Sequence, residues 1–244
     1  MIPLRDNLPH RRTPWMTWAL AGVAIAFFGH ELRLEVTGQL RPFLETWGLQ
    51  PAPIQGIWAD LGRSPNPAIG VALVFSLLQG VTTLFLHASF SQLLGNLLFL
   101  MVFGPSVEEQ LGPGRFLGLY LLGGWVTSLG QVAFNQSPDS LFIGANGAIA
   151  AILGIYGVWF ASARIDALLP LIVAFIPVQL PAWFFGLWWF VQQIFYGLGR
   201  LGDLGNTNPV DTAYWMQVLG LGVGVIWGIL GRSPAVAAPP PSES

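Results

Sequence analysis

Four carboxamide side chains lie within apolar, charge-free stretches of the sequence: Gln92, Asn96, Asn146 and Gln217. If such stretches cross a membrane, polar groups inside them are rare enough to be functional candidates. A carboxamide both donates and accepts hydrogen bonds, so these side chains can join helices to one another. It has no pKa near neutrality and cannot act as a general base. His87, five residues before Gln92, is a further candidate. The simplest alternative is that these five side chains only stabilise the fold.

The spacing of small residues predicts which helices meet. Gln92 and Asn96 are four apart and share a helix face. Asn146 lies in the segment Gly-Ala-Asn-Gly at 144–147, and small residues follow both Asn146 and Gln217 at helical spacing, which lets two backbones approach closely. The residues expected to serve this packing are Gly144, Gly147, Ala151, Gly154 and Gly157 on one side and Gly220, Gly224 and Gly228 on the other. We therefore expect these two helices to touch, with Gln217 near Asn146.

The composition excludes several classes of protein. Of 244 residues, 53% are hydrophobic and 9% are charged, whereas a soluble domain carries roughly 25% charged residues. This indicates a polytopic membrane protein that contacts the lipid bilayer. The net charge of −2 gives no basic surface for nucleic acid. There is no cysteine or lysine and no His-Glu-x-x-His motif, so thiol, Ser–Lys and zinc proteases are excluded, and no cofactor or metal is expected.

Charge-free stretches place the membrane spans. We predict six, at 15–32, 90–106, 116–134, 144–162, 181–198 and 213–230, with the amino terminus in the cytoplasm and the first helix retained. Six spans place six arginines inside and four outside, and a seventh span at 68–86 reverses this ratio. We therefore prefer a segment 68–86 that dips into the outer leaflet. Residues 1–232 form one membrane domain, and the proline-rich tail 233–244 is expected to be disordered.

Several motifs, in this order, resemble those of the rhomboid intramembrane serine proteases. They are FLHASFSQLLGNLLFLMVFG at 85–104, GANGAIAAILG at 144–154 and AYWMQVLGLGVG at 213–224, and the resemblance extends over about residues 1–232. It implies an all-α fold, a rhomboid-like bundle of six transmembrane helices with a membrane-dipping loop between the first and second helices. This agrees with the six spans that the arginines favour.

The departures from the family motifs concern the catalytic groups. The resemblance places the serine nucleophile of the family at Asn146, its base histidine at Gln217 and a histidine of its oxyanion hole at Gln92. His87 and the oxyanion asparagine, Asn96, are kept, as are the glycines Gly144, Gly147 and Gly220. An amide nitrogen is a poor nucleophile, and the glutamine side chain cannot shuttle a proton.

Our sequence-based hypothesis is a rhomboid-like pseudoprotease that binds transmembrane segments of client proteins, located in a bacterial inner membrane. One alternative is an active intramembrane serine endopeptidase with an unrecognised nucleophile such as Ser91, which is four residues from His87. A small-molecule transporter is disfavoured, because the sequence has neither a repeated pair of interrupted helices nor a buried ion pair.

Overall fold

The protein is described from a computed structural model that covers residues 1–60, 67–134, 137, 140–170, 175–192, 207–208 and 210–231. Most of this part of the chain is helical. The helices are α1 (Trp15–Val36), α2 (Leu40–Trp47), α3 (Pro51–Asp60), α4 (Pro67–Thr82), α5 (Phe90–Leu111), α6 (Pro113–Phe134), α7 (Asn146–Trp159), α8 (Ala182–Gln192) and α9 (Val210–Leu230). A 3₁₀ turn, Thr83–Phe85, follows α4, and three short strands are β1 (Ile2–Asp6), β2 (Arg164–Pro170) and β3 (Phe175–Pro181). The predicted class, a helical membrane protein, is confirmed.

Three helical segments within the described residues are long and apolar enough to cross a bilayer: Pro67–Phe85, Phe90–Leu111 and Pro113–Phe134. Shorter apolar helices are found at Asn146–Trp159 and Gln217–Leu230. The first segment has a mean hydropathy of 1.9, and only 22% of it is buried in the protein. Its length therefore permits a crossing as well as a dip, and the dipping loop stays a prediction. Residues 193–198 of the predicted fifth span and the tail 233–244 lie outside the described residues.

The helices alternate in direction around a core formed by α5, α6, α7 and α9. The carboxylate of Glu108, late in α5, binds the first turn of α1, and Glu31, late in α1, binds the backbone just before α5, so these helices are antiparallel. Gly220 lies against Gly147, and Gly228 lies against Val158, so α9 runs parallel to α7. The helices therefore end at two opposite ends of the bundle. We call the end that contains the amino terminus the sheet end, and the opposite end the site end.

Aromatic side chains fill the half of the core towards the sheet end. Phe103 of α5 contacts the ring of Tyr156 edge-on, with centroids 4.9 Å apart, and lies 6.3 Å from Phe185 of α8. Trp189 of α8 lies 4.7 Å from Phe99. All five rings are fully buried. Buried aromatic pairs stabilise a fold by more than the burial of their apolar surface alone. These contacts therefore hold α8 against α5 and α7.

A three-stranded antiparallel sheet, ordered β1-β2-β3, covers one end of the bundle. The sequence analysis predicted no sheet. Pro3 of β1 pairs with Ala167 of β2, 164 positions later in the chain, and such remote pairing leaves no local periodicity to detect. On the outer face, Arg5 and Gln179 both bind the carboxylate of Asp166 at 2.8 Å, and the hydrogen bond from Arg5 lowers the pKa of that carboxyl.

The last residue of β1, Asp6, fastens the sheet to the bundle. Its carboxylate is buried and accepts hydrogen bonds from the hydroxyl of Ser106 in α5 and, at 2.9 Å, from that of Tyr156 in α7. The Nε2 atom of His10 lies 3.0 Å from the other oxygen. Burial raises the pKa of the Asp6 carboxyl above its ordinary 3.8, although the two hydroxyls and His10 act in the opposite direction.

Asp6→Asn is expected to remove a pH dependence of stability. Because the folded state binds this proton more tightly than the unfolded chain, the contribution of Asp6 is fully present below pH 3.8 and is lost as the pH rises through the raised folded value. Thermal unfolding in detergent should therefore show the wild type losing stability relative to Asp6→Asn as the pH rises from 4. Titration of Asp166 is common to both proteins and cancels in the difference.

Asp6→Leu is the matched variant for this carboxylate. It leaves the hydroxyls of Ser106 and Tyr156 without an acceptor, whereas asparagine keeps one oxygen for both. We expect the leucine variant to lose about 1–3 kcal/mol for each hydroxyl at every pH. Equal stability of the two variants would show that Asp6 does not hold the strand in place.

Candidate functional site

The predicted site residues lie at the site end, around the beginning of α7. Asn146 is the first residue of that helix. Two positions earlier, Gly144 has a φ of +117°, and a Cβ there would lie 2.2 Å from Nε2 of Gln92, so this position requires glycine. The Gly144 N–H donates to the carbonyl of Thr83 at 2.9 Å. The backbone ahead of Asn146 is therefore held against the 3₁₀ turn.

His87 is fully buried, and both of its ring nitrogens have partners. Nδ1 lies 3.2 Å from the carbonyl of Phe85, and Nε2 lies 3.1 Å from the amide nitrogen of Asn96. A carbonyl can only accept and an amide NH₂ can only donate, so the ring is the neutral Nδ1–H tautomer with its Nε2 lone pair occupied. His87 therefore has no free lone pair with which to take a proton from a nucleophile.

Gln92 joins the segment before α5 to the segment before α7. Its Oε1 accepts from the N–H of Ala88 at 2.8 Å, and its Nε2 donates to the carbonyl of Ile143 at 3.0 Å. A network that joins the four amides stays a prediction, and Asn96 contacts His87. Gln92 itself binds backbone groups. The reason is local: the turn before α5 and the positive φ of Gly144 leave backbone N–H and C=O groups that need partners.

Asn146 and Gln217 lie on helix turns that are in contact. Gly220, one turn after Gln217, is so close to α7 that a Cβ there would be 2.2 Å from the carbonyl oxygen of Gly147, the residue after Asn146. Gln217 is buried and Asn146 is half-buried. A position three residues before Gly220 lies on the same helix face, so Gln217 faces the beginning of α7.

Backbone contacts continue along the pair of helices. A Cβ on Gly224 would lie 1.9 Å from the carbonyl oxygen of Ala151, and a Cβ on Gly154 would lie 2.3 Å from the carbonyl oxygen of Leu221. Thr127 of α6 contacts both helices near Asn146. Its Oγ1 would be 2.2 Å from a Cβ on Gly147 and 2.9 Å from one on Gly220. Beside the candidate site, α7 and α9 thus meet backbone to backbone, and α6 contacts both of them through the side chain of Thr127.

A small cleft opens beside Asn146, between α6, α7 and the 3₁₀ turn. Its cavity volume is about 10 Å³, room for a single water molecule, and none of the described residues that line it is charged or titratable. Its polar lining consists of Thr83, Thr127, Ser128, Gln131, Asn146 and Asn208. These groups can hydrogen-bond to peptide or hydroxyl groups, but they offer no acid, base or metal ligand. The described residues likewise contain no group of histidines and carboxylates that could hold a metal.

Two residues that position the site were not predicted from the sequence. Glu31 is fully buried, and its carboxylate accepts the backbone N–H of His87 at 3.1 Å. Asn208 forms two hydrogen bonds with the backbone of Ile143, at 3.0 and 2.9 Å. A carboxylate at the end of an apolar stretch was a usable signal for Glu31. Nothing distinguishes Asn208 in the sequence, because its role depends on a segment 65 positions away.

Comparison with known proteins gives one family match and several relatives. A family model for the Rhomboid domain matches residues 75–234, about two thirds of the chain. The putative rhomboid protease YdcA of Bacillus subtilis is 36% identical over 106 residues, which are 43% of this chain and 51% of that protein. RHOMBOID-like protein 1 of Arabidopsis thaliana is 28% identical over 152 residues, 58% of this chain and 38% of that protein.

A third relative, the rhomboid protease GluP of Bacillus subtilis, is 38% identical over 74 residues, 30% of this chain and 14% of that protein. The matched part of this chain thus spans about half or less of the length of each of these relatives. The family match itself includes α5, α6, α7 and α9, the helices that meet at Asn146 and Gln217. On this match, which covers more than half of the sequence, the chain belongs to the rhomboid family of integral membrane proteins.

Proposed function

We propose that this protein is a rhomboid pseudoprotease, which binds transmembrane segments of client proteins and does not cleave them. The observation that carries the proposal is the pair of carboxamides, Asn146 and Gln217, on contacting turns of α7 and α9. A serine protease needs an oxygen nucleophile and a group that takes its proton and returns it to the leaving amine. Neither carboxamide can perform either step.

The surroundings of His87 support the same conclusion. A substitute nucleophile such as Ser91 needs a base with a free lone pair, and both nitrogens of His87 are engaged by Phe85 and Asn96. The Ser91 hydroxyl lies 3.1 Å from that of Ser89, whose Oγ also caps α5 by accepting the N–H of Gln92. Activation of Ser91 would therefore require His87 to give up its hydrogen bond with Asn96.

A serine, a histidine and a carboxylate do meet at the sheet end, but their geometry is not catalytic. Nε2 of His10 lies 3.2 Å from Oγ of Ser106 and 3.0 Å from Oδ1 of Asp6. A catalytic histidine uses one nitrogen for the serine and the other for the carboxylate, whereas here a single nitrogen faces both. Ser106 is buried and donates to Asp6, so this cluster supports the fold.

Binding is the function that the remaining site suits. The cleft beside Asn146 presents neutral hydroxyl and amide groups, which can pair with backbone or polar side chains of a client helix without a charge to desolvate. We further propose that the sheet end, with its arginines, faces the cytoplasm of a bacterial cell. The site end then lies towards the outer leaflet, where a client segment can reach it laterally.

The test uses the purified full-length chain in bicelles with synthetic single-span peptides. We expect the wild type to capture a peptide reversibly, measured by fluorescence anisotropy, to leave its mass unchanged, and to remain unlabelled by a fluorophosphonate. Gln131→Leu, at the cleft, should weaken capture. Gln39→Leu, at an exposed position between α1 and α2, is the control and should not.

The competing function is an active intramembrane endopeptidase, which the names of two of the relatives suggest. The same experiment separates the two proposals. Peptide hydrolysis by the pure protein, abolished by replacing one of its own serines, would establish the protease and refute the pseudoprotease.

A further inference from the structure

A second cleft lies at the sheet end, far from the amides, where the chain enters α1. Its cavity volume is about 350 Å³, which is at the lower end of the usual range for small-molecule sites. Its walls come from the segment before α1 and from the junction of α5 and α6. The lining residues are Arg12, Thr13, Pro14, Trp15, Pro105, Glu108, Glu109, Gly112 and Pro113. Among the described residues of the lining, one arginine and two glutamates carry a charge.

The two glutamates differ in how many hydrogen-bond donors the protein supplies to their carboxylates. The carboxylate of Glu108 accepts the backbone N–H groups of Met16 and Thr17 and the hydroxyl of Thr17, at 2.7–2.9 Å, and so caps α1. Glu109 is half-buried, and its two oxygens share one donor, the N–H of Arg11 at 3.0 Å. Since a carboxylate offers about four acceptor positions, Glu109 keeps most of its capacity for another donor.

The arginine of the cleft also has capacity for a ligand. Arg12 is exposed, and within the described part of the chain its guanidinium forms no ion pair. The cleft is thus lined by one cation and one carboxylate with free acceptor positions, between apolar walls of proline and tryptophan. A ligand complementary to this arrangement carries an anion and a hydrogen-bonding cation next to each other.

The position of the cleft indicates where such a ligand comes from. Trp15 is 68% exposed and Trp18 46% exposed, and their rings pack edge to face 5.5 Å apart at the beginning of α1. Exposed tryptophans beside arginines are typical of the headgroup level of a membrane-spanning helix. Trp15 both lines the cleft and is exposed, so the cleft has an apolar opening at the protein surface.

We propose that this cleft binds a phospholipid whose headgroup carries both a phosphate and a primary ammonium, as phosphatidylethanolamine does. The guanidinium of Arg12 binds the phosphate oxygens. The ammonium donates to the free positions of Glu109, and the acyl chains continue along Trp15 into the bilayer. A choline headgroup has the same charges, but its trimethylammonium has no N–H to donate, so Glu109 makes the site selective for the primary amine.

The experiment compares three lipids with identical acyl chains on the purified full-length protein in detergent. Native mass spectrometry counts bound phosphatidylethanolamine, phosphatidylcholine and phosphatidylglycerol, and thermal unfolding with each lipid gives a second measure of binding. We expect phosphatidylethanolamine to bind about tenfold more tightly than phosphatidylcholine, because one additional charge-assisted hydrogen bond changes the affinity by about this factor. Soluble glycerophosphoethanolamine should bind more weakly than the lipid, since it lacks the acyl chains.

Three variants assign the contacts. Glu109→Gln should equalise the affinities for phosphatidylethanolamine and phosphatidylcholine, while keeping an acceptor for the N–H of Arg11. Arg12→Gln should weaken the binding of all three lipids about tenfold. Arg33→Gln, which changes an exposed arginine at the other end of α1, is the control and should change nothing.

Several results would overturn the proposal. They are equal binding of phosphatidylethanolamine and phosphatidylcholine to the wild type, a preference that survives in Glu109→Gln, and an equal loss in Arg33→Gln and Arg12→Gln. Soluble headgroup binding as tight as the lipid would reveal a phosphate site instead. A protein dimer without lipid adducts would assign the cleft to a second copy. If a variant does not fold, the comparison of lipids on the wild type still decides the selectivity.

Discussion

Replacing Asn146 by serine and Gln217 by histidine in the same molecule is expected to create a protein that reacts with a fluorophosphonate and cleaves a generic transmembrane peptide. The two positions lie on contacting turns of α7 and α9, so the new hydroxyl and imidazole would be neighbours. Position 146 is the first residue of α7, where the backbone N–H groups and the helix dipole favour the developing oxyanion. Asn96 and His87 remain in place as further polar groups.

The expected effect is large because the two groups act as a unit. Removing the nucleophile or the base of a serine protease costs on the order of 10⁶ in kcat. Even a rescue that recovers a thousandth of this factor would leave activity about 10³ above the wild type. Neither single variant should gain activity, since each still lacks one partner.

We expect Gln92 to limit this rescue, because the resemblance to the family motif places a histidine at that position. Adding Gln92→His to the double variant should raise the rate of labelling if that side chain reaches the oxyanion. The control is Asn146→Ala with Gln217→His, which keeps the base and removes the hydroxyl. No labelling in a folded triple variant, or labelling of the wild type, would contradict the assignment of these positions.

Gly224→Ala is expected to destabilise the protein by about 3 kcal/mol, whereas Gly222→Ala, two residues earlier on the same helix, should stabilise it by about 0.5–1 kcal/mol. A Cβ at position 224 would lie 1.9 Å from the carbonyl oxygen of Ala151, a backbone atom that cannot rotate away, so α7 and α9 must separate. A Cβ at position 222 meets nothing within 4 Å and only gains helix propensity.

The measurement is unfolding of both variants in mixed detergent micelles, followed by circular dichroism. The pair differs by one methyl group at two positions of one helix, so changes in hydrophobicity and helix content cancel. Similar stabilities would show that α9 does not pack backbone to backbone on α7. That result would also remove the structural support for Gln217 as a neighbour of Asn146.

The sequence by itself determined the class of fold, because crossing a membrane requires long apolar stretches that are visible without knowledge of contacts. It also gave the basis for the proposed loss of activity, since carboxamides at positions 146 and 217 can act neither as a nucleophile nor as a general base. The spacing of Gly220 and Gly224 indicated a helix face made for close approach, because helical periodicity is local.

Only the tertiary structure decided which groups satisfy the polar atoms. Gln92 binds the backbone of Ile143, and Glu31 holds the turn at His87, because folding brings together partners that are 51 and 56 positions apart in the chain. The same holds for the sheet and for Asp6, whose partners Ser106 and Tyr156 are 100 and 150 positions away. Hydrogen bonds between remote segments have no sequence period, so folding, and not local pattern, selects them.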